Sequence, residues 1–182
     1  MKKSIGLLEF KSIAKGIEVT DEILKVANVD LIFASPICPG KYVSMVSGEI
    51  AAVNHGMKTA EQLGDIFQIE ALTLSNIHPD VLKALSGTCD VKNIQALGVI
   101  ETMSAVSSLM VADTAIKSSN IQLIEVRIAR GLGGKGFTLF SGEISSVNRA
   151  IEACKNAHQS TGEILCATLI SSPNQAIIDS LL

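Results

Sequence analysis

A chain of 182 residues that is 47% hydrophobic and 18% charged has enough apolar material for one ordinary domain or two small ones, each with its own core. A net charge of −3 leaves no basic footprint for nucleic acid, and one Tyr with no Trp leaves no stacking platform for single strands. The wealth of small apolar residues fits a protein that buries surface against copies of itself.

The opening Met1-Lys2-Lys3 resembles the basic head of a signal peptide, but Glu9 and Lys11 break the apolar run behind it. Residues 4–10 read instead as a short buried strand. Ser12 is placed to cap a helix whose apolar stripe is Ile13, Ile17, Leu24 and Ala27. Asn28 suits the left-handed position that would close it. Residues 31–35 and 41–47 are two predicted strands, joined by Pro36-Ile37-Cys38-Pro39-Gly40-Lys41. That joint is the sharpest turn signal in the chain. Two prolines restrict Ile37 and Cys38, and Gly40 supplies conformations other residues avoid. A thiol held there is either a small packed hydrophobe or a ligand on display.

Residues 48–63 read as a second helix with Ile50, Val53, Met57 and Ala60 inward, and residues 70–75 as a last strand. Pro79 opens a short helix at its favoured first position. The polar stretch 86–95 reads as a linker, which places one domain at 1–92 and a second at 93–182.

The second domain repeats the first. Residues 5–32 align without gaps on 97–124, and nine of those 28 positions are identical, among them Gly6/Gly98, Glu9/Glu101, Ser12/Ser104, Asp21/Asp113, Lys25/Lys117 and Asn28/Asn120. After a two-residue shift, 40–60 align on 134–154 with eight of 21 identical, including Gly40-Lys41/Gly134-Lys135 and Ser47-Gly48-Glu49/Ser141-Gly142-Glu143. The length change falls in the loop that holds Cys38. Each unit has the order β-α-β-β-α-β, an α/β arrangement of the α+β, ferredoxin-like kind, duplicated in tandem.

Residues with chemistry are few. Cys38, Cys89, Cys154 and Cys166 show no zinc-type or CxxC spacing, and a reducing cytoplasm disfavours disulfides. Cys154 aligns with Ala60 on an inner helix face, Cys166 falls in a strand and Cys89 in the linker. The loop Arg130-Gly131-Leu132-Gly133-Gly134-Lys135-Gly136 lacks P-loop spacing and precedes a strand. Lys41 and Lys135 either draw anions or are ordinary loop lysines. His55 and His158 have no partners in the other repeat and suit the surface, whereas His78 suits a structural role. Glu9 and Glu101 suit internal hydrogen bonding, and no Ser/His/Asp set is legible. The apolar stretch 97–115 contains Glu101 and Asp113, so it is not a membrane span. A soluble, cytoplasmic protein is expected.

Both halves resemble the bacterial microcompartment (BMC) shell domain. The resemblance rests on the first-strand motifs at 5–9 and 97–101, on Asp21/Lys25/Asn28 with Asp113/Lys117/Asn120, and on Ser47-Gly48-Glu49 with Ser141-Gly142-Glu143. It implies a homotrimer that imitates a six-domain ring, tiles with other shell proteins and leaves an axial pore. Pore-lining residues would be Pro36, Ile37, Pro39, Gly40, Lys41, Gly133, Gly134 and Lys135. Lys25 and Lys117 would lie at the shell edge, against the simpler alternative of helix-end lysines that suit the dipole. The Cys38 turn, residues 76–78 and the glycine loop look most like the T-type shell proteins of propanediol-utilisation compartments. That likeness implies an iron–sulfur cluster, of the 4Fe-4S type and one per trimer, held through Cys38, with redox enzymes as possible partners on either face. Two alternatives are a cluster-free trimer whose pore passes metabolites and a ferredoxin-like regulator that binds a small ligand.

Overall fold

A computed structural model describes residues 4–91, 94–128, 131–159 and 162–181. The first repeat runs β1 (Ser4–Phe10), α1 (Ile13–Val26), β2 (Asp30–Ile37), β3 (Lys41–Gly48), α2 (Ile50–Gly64), a single 3-10 turn, β4 (Gln68–Leu74) and α3 (Pro79–Leu85). The second follows as β5 (Ala96–Thr102), α4 (Ala105–Ser118), β6 (Ile121–Ile128), β7 (Gly136–Gly142), α5 (Ile144–Ala157), β8 (Ile164–Ile170) and α6 (Gln175–Leu181). Each repeat forms a four-stranded antiparallel sheet, in the orders β2-β3-β1-β4 and β6-β7-β5-β8. This is the expected duplicated α/β fold.

Local chemistry starts the helices alike in the two repeats. The Ser12 hydroxyl accepts from the Lys15 N–H, and the Ser104 hydroxyl accepts from the Ser107 N–H. Their ends depart from expectation. Ala27 leaves α1 in an extended conformation, and the described non-glycine residues with positive φ are Asp65 and Asn76, so Asn28 is not a left-handed cap. Its carbonyl instead lies where a side chain on Gly48 would sit, 3.2 Å from an ideal Cβ, and Asn120 approaches Gly142 at the same distance. The repeated asparagine therefore marks a close backbone crossing.

The buried face of α1 also differs. Gly16, Val19, Thr20 and Ile23 are buried, and Ala27 of the expected stripe is buried with them, whereas Ile13, Ile17 and Leu24 are exposed. The core of this unit joins Val19 and Ile23 to Leu8, Phe10, Tyr42, Val46, Val53 and Met57. Gly16 is small because the Tyr42 ring lies 2.5 Å from where its Cβ would be. On α2, Val53, Met57 and Ala60 are buried as expected, but Ile50 is exposed. Periodicity located an apolar stripe on α1 of which the core of its own unit covers Ala27 and leaves Ile13, Ile17 and Leu24 bare.

By packing, the chain divides into Met1–Ile77 with Ala129–Gly134, and His78–Ile128 with Lys135–Leu182. The division falls before residue 92 because α3 lies on β6 and α4. Residues 92 and 93, at the expected boundary, are outside the described residues.

Candidate functional site

The site begins with the β2–β3 hairpin. Ile37 pairs with Lys41, so three residues, Cys38, Pro39 and Gly40, make the whole connection. Ile37 is buried and roots the turn, while Cys38, Pro39 and Gly40 are exposed at its tip. The Cys38–Pro39 peptide is cis and Gly40 has φ +76°. Pro36 sits within β2 opposite Tyr42. The Cys38 thiol is thus on display.

Beneath the tip, Lys41 Nζ donates to Glu9 Oε1 at 2.7 Å. Glu9 is fully buried on central strand β1, opposite Val43 and Glu70. The cation at the root of the turn is therefore partly neutralised. The second repeat lacks this arrangement: Glu101 and Lys135 are both exposed. The expectation of an internal role thus holds for Glu9 and fails for Glu101.

The glycine loop contributes through its backbone. Gly134 has φ +90°, and a Cβ there would lie 3.2 Å from Pro39 Cδ and 3.2 Å from Lys41 Nζ. This segment belongs to the same packing unit as the Cys38 turn. Pro39, Lys41 and Gly134 are therefore brought together. Gly133 is exposed with φ +61° and open space around it. Lys135 is exposed, and Arg130 lies outside the described residues.

The two expected edge lysines differ. Lys25 reaches Asp21 at 2.6 Å and Glu22 at 2.8 Å, and hydrogen bonds to Asp21 and then Glu22 raise its pKa. Lys117 pairs with Asp113, whose other oxygen accepts the His78 N–H at 2.8 Å. His78 caps α3 by accepting from the Asp80 N–H, the structural role expected of it. His55 is exposed; His158 is half-buried, 3.3 Å from Thr114 Oγ1, and desolvation lowers its pKa against the opposing Glu163 charge.

The other thiols differ in kind. Cys154 is fully buried, donates weakly to the Val111 carbonyl, and burial pushes its pKa up to about 12. Cys89 is half-buried, with its pKa raised by desolvation and then by Asp80. Cys166 is exposed on β8 beside Thr168. Among the described residues no three His, Cys, Asp or Glu side chains gather as a metal-binding group. One chain offers one displayed turn thiolate, a donor set that suits an iron–sulfur cluster only when several copies contribute.

Two features escaped sequence reasoning. Glu9 and Lys41 meet across 32 positions of sequence, and their recurrence as Glu101 and Lys135 was the available signal. Arg127 lies over the Phe137 ring at 5.2 Å and pairs with Glu125, bracing the second hairpin.

The BMC domain family matches residues 4–79 and again 96–173. Over 177 residues the chain is 38% identical to the bacterial microcompartment shell protein PduT of Citrobacter freundii, spanning 97% of this chain and 96% of that one. A crystal structure of a microcompartments protein from Desulfitobacterium hafniense superposes with TM-score 0.88 at 38% identity, over 98% of this chain and 99% of that one. A fused permuted hexameric shell protein from another microcompartment matches with TM-score 0.62 at 20% identity, covering 86% and 81%, a likeness of fold alone. No described helix is long and apolar enough to cross a membrane.

Proposed function

The chain belongs to the BMC-domain family of bacterial microcompartment shell proteins, and from that premise we propose that three copies close into a ring of six domains whose axial turns hold one iron–sulfur cluster. The ring is a structural tile of the compartment wall rather than an enzyme. It adjoins other shell proteins, with Lys25 and Lys117 at its edges, and Cys38 supplies the thiolate from each copy. The observation that carries this is the exposed Cys38 on a three-residue connection, in the hairpin where the two repeats part company. Cyclic symmetry repeats every surface group about its axis, so one displayed thiol per chain becomes three. The fourth iron of a cubane would take a ligand other than cysteine.

When bound, such a cluster supplies one-electron transfer, here between partners on the two faces of the wall. The protein's own part is positional. Ile37 roots the turn in the sheet, Glu9 holds Lys41, and Gly134 admits the second loop against Pro39. Pro36, Gly40, Gly133 and Lys135 complete the lining of the pore.

Iron, sulfide and oligomer mass measured together on anaerobically prepared protein test this. About four irons per trimer, lost in Cys38→Ser while the trimer persists, is the expected result. Iron-free wild type, or a Cys38→Ser variant that keeps the brown charge-transfer band, overturns it. Exposed Lys135, two residues after exposed Gly133, favours a second reading, a cluster-free pore that passes anionic metabolites. A colourless anaerobic trimer would select that one.

A further inference from the structure

The duplication leaves one helix without the surface that its twin covers. Helix α3 lies on β6 and α4, and its Val81 and Ala84 are fully buried. Helix α6 follows β8 as α3 follows β4, and Asn174 caps it as His78 caps α3, each side chain accepting the N–H two residues on. At the positions of Val81 and Ala84 stand Ile177 and Ser180, both exposed, with Ile177 50% so. Leu181 at the far end packs on the Leu97, Ile124 and Leu139 cluster of its own unit, so α6 is anchored with Ile177 outward.

The surface matching the one under α3 is equally bare. Leu123 and Ile124 of β6 are 3% and 6% exposed. The identical pair at the same repeat positions, Leu31 and Ile32 of β2, are 46% and 49% exposed. Asp113 on α4 is nearly buried, and its carboxylate takes the backbone N–H that enters α3. Its repeat counterpart Asp21 is exposed and reaches Lys25 in the way that Asp113 reaches Lys117. The same acid, the same lysine and the same Leu-Ile pair are present; only the helix is missing.

We infer that α6 of one copy docks on the β2–α1 surface of a second copy of this chain. Ile177 covers Leu31 and Ile32, and the Asp21 carboxylate of the receiving copy accepts the backbone N–H of the donor's Asn174. The occupant is argued from the chain itself, since α3 on β6 and α4 is the same helix on the same surface within one molecule. The inference rests on the homotrimer proposed above and names the contact that closes it.

A photo-crosslinking residue placed at 177 in the full chain tests it, with isotope-labelled and unlabelled copies mixed so that intermolecular products are identified by mass. The expected product joins 177 to residues 13–37 of another copy. A trimer whose crosslinks fall elsewhere overturns the docking and leaves the trimer standing; a chain that stays monomeric removes both. Ile177→Asp should raise the trimer dissociation constant about ten-fold or more. Asp113→Ala should lower the stability of the isolated chain, whereas Asp21→Ala should weaken assembly and spare the isolated chain. Equal effects of the two substitutions on the isolated chain would sink the assignment of Asp21.

Discussion

The ammonium of Lys41 sits 2.7 Å from the carboxylate of Glu9, a side chain with no exposure to solvent. The pair ties the residue that ends the Cys38 turn to the central strand of the sheet. Its value is as much positional as energetic, because a buried carboxylate that loses a partner is costly. Lys41→Met should lower stability by roughly 2 kcal/mol. Urea unfolding at a fixed protein concentration measures this, and Lys41→Arg should recover part of the loss.

Gly134 and Gly133 make a paired test of the loop. Both have positive φ, so alanine at either costs about 1–2 kcal/mol in backbone strain. Only at Gly134 would the new methyl also crowd the Pro39 ring, which cannot swing aside. Gly134→Ala should therefore shift the rate at which the metal-free Cys38 thiol is alkylated, while Gly133→Ala leaves that rate near wild type. Equal rates for the two variants would remove Gly134 from the site.

The thiols should separate by accessibility. In metal-free folded protein near neutral pH, iodoacetamide should label Cys38 and Cys166 first and leave Cys154 intact until the chain unfolds. Mass spectrometry of peptides at successive times checks the order. Burial raises the Cys154 pKa from its ordinary value near 9 to about 12. The unfolded chain therefore gives up this proton first, and the contribution of Cys154 to stability, full below about pH 9, declines as pH rises toward 12. Cys154→Ala should flatten that alkaline decline.

His158 acts at the other end of the scale. Desolvation lowers its pKa below the ordinary 6.5, so at acid pH the unfolded chain binds the proton more readily than the folded one. Its contribution is present above about pH 6.5 and is lost as pH falls through the depressed value. His158→Gln, which can still reach Thr114, should reduce the slope of stability against pH below 6.5, as followed by urea midpoints.

The strands were legible because each carries a short apolar run bounded by turn residues, and the duplication placed every element twice. What stayed hidden depends on partners that local pattern cannot name. Ile13, Ile17 and Leu24 recur at helical spacing, yet the core took Gly16, Val19, Thr20 and Ile23, because the Tyr42 ring needs the gap at Gly16. An apolar stripe announces burial without saying whether the cover comes from the same molecule. Asn28 looked like a helix cap, but its repetition records the crossing at Gly48. Cys38 was visible as a constrained thiol, whereas the Glu9 anchor beneath it required knowing that β1 and β3 are neighbours. Glu101 recurs without that job, since recurrence preserves a residue and not its contacts.

In the first repeat the hairpin connection consists of residues 38–40 alone. Side chains alternate between the faces of a strand, so a connection this short ties the direction of the Cys38 thiol to the register of β2 on β3. Adding one residue between Ile37 and Lys41 would redirect the thiol without changing any side chain. In this hairpin the spacing of the chain decides where the thiol points as much as the identity of the residue that carries it.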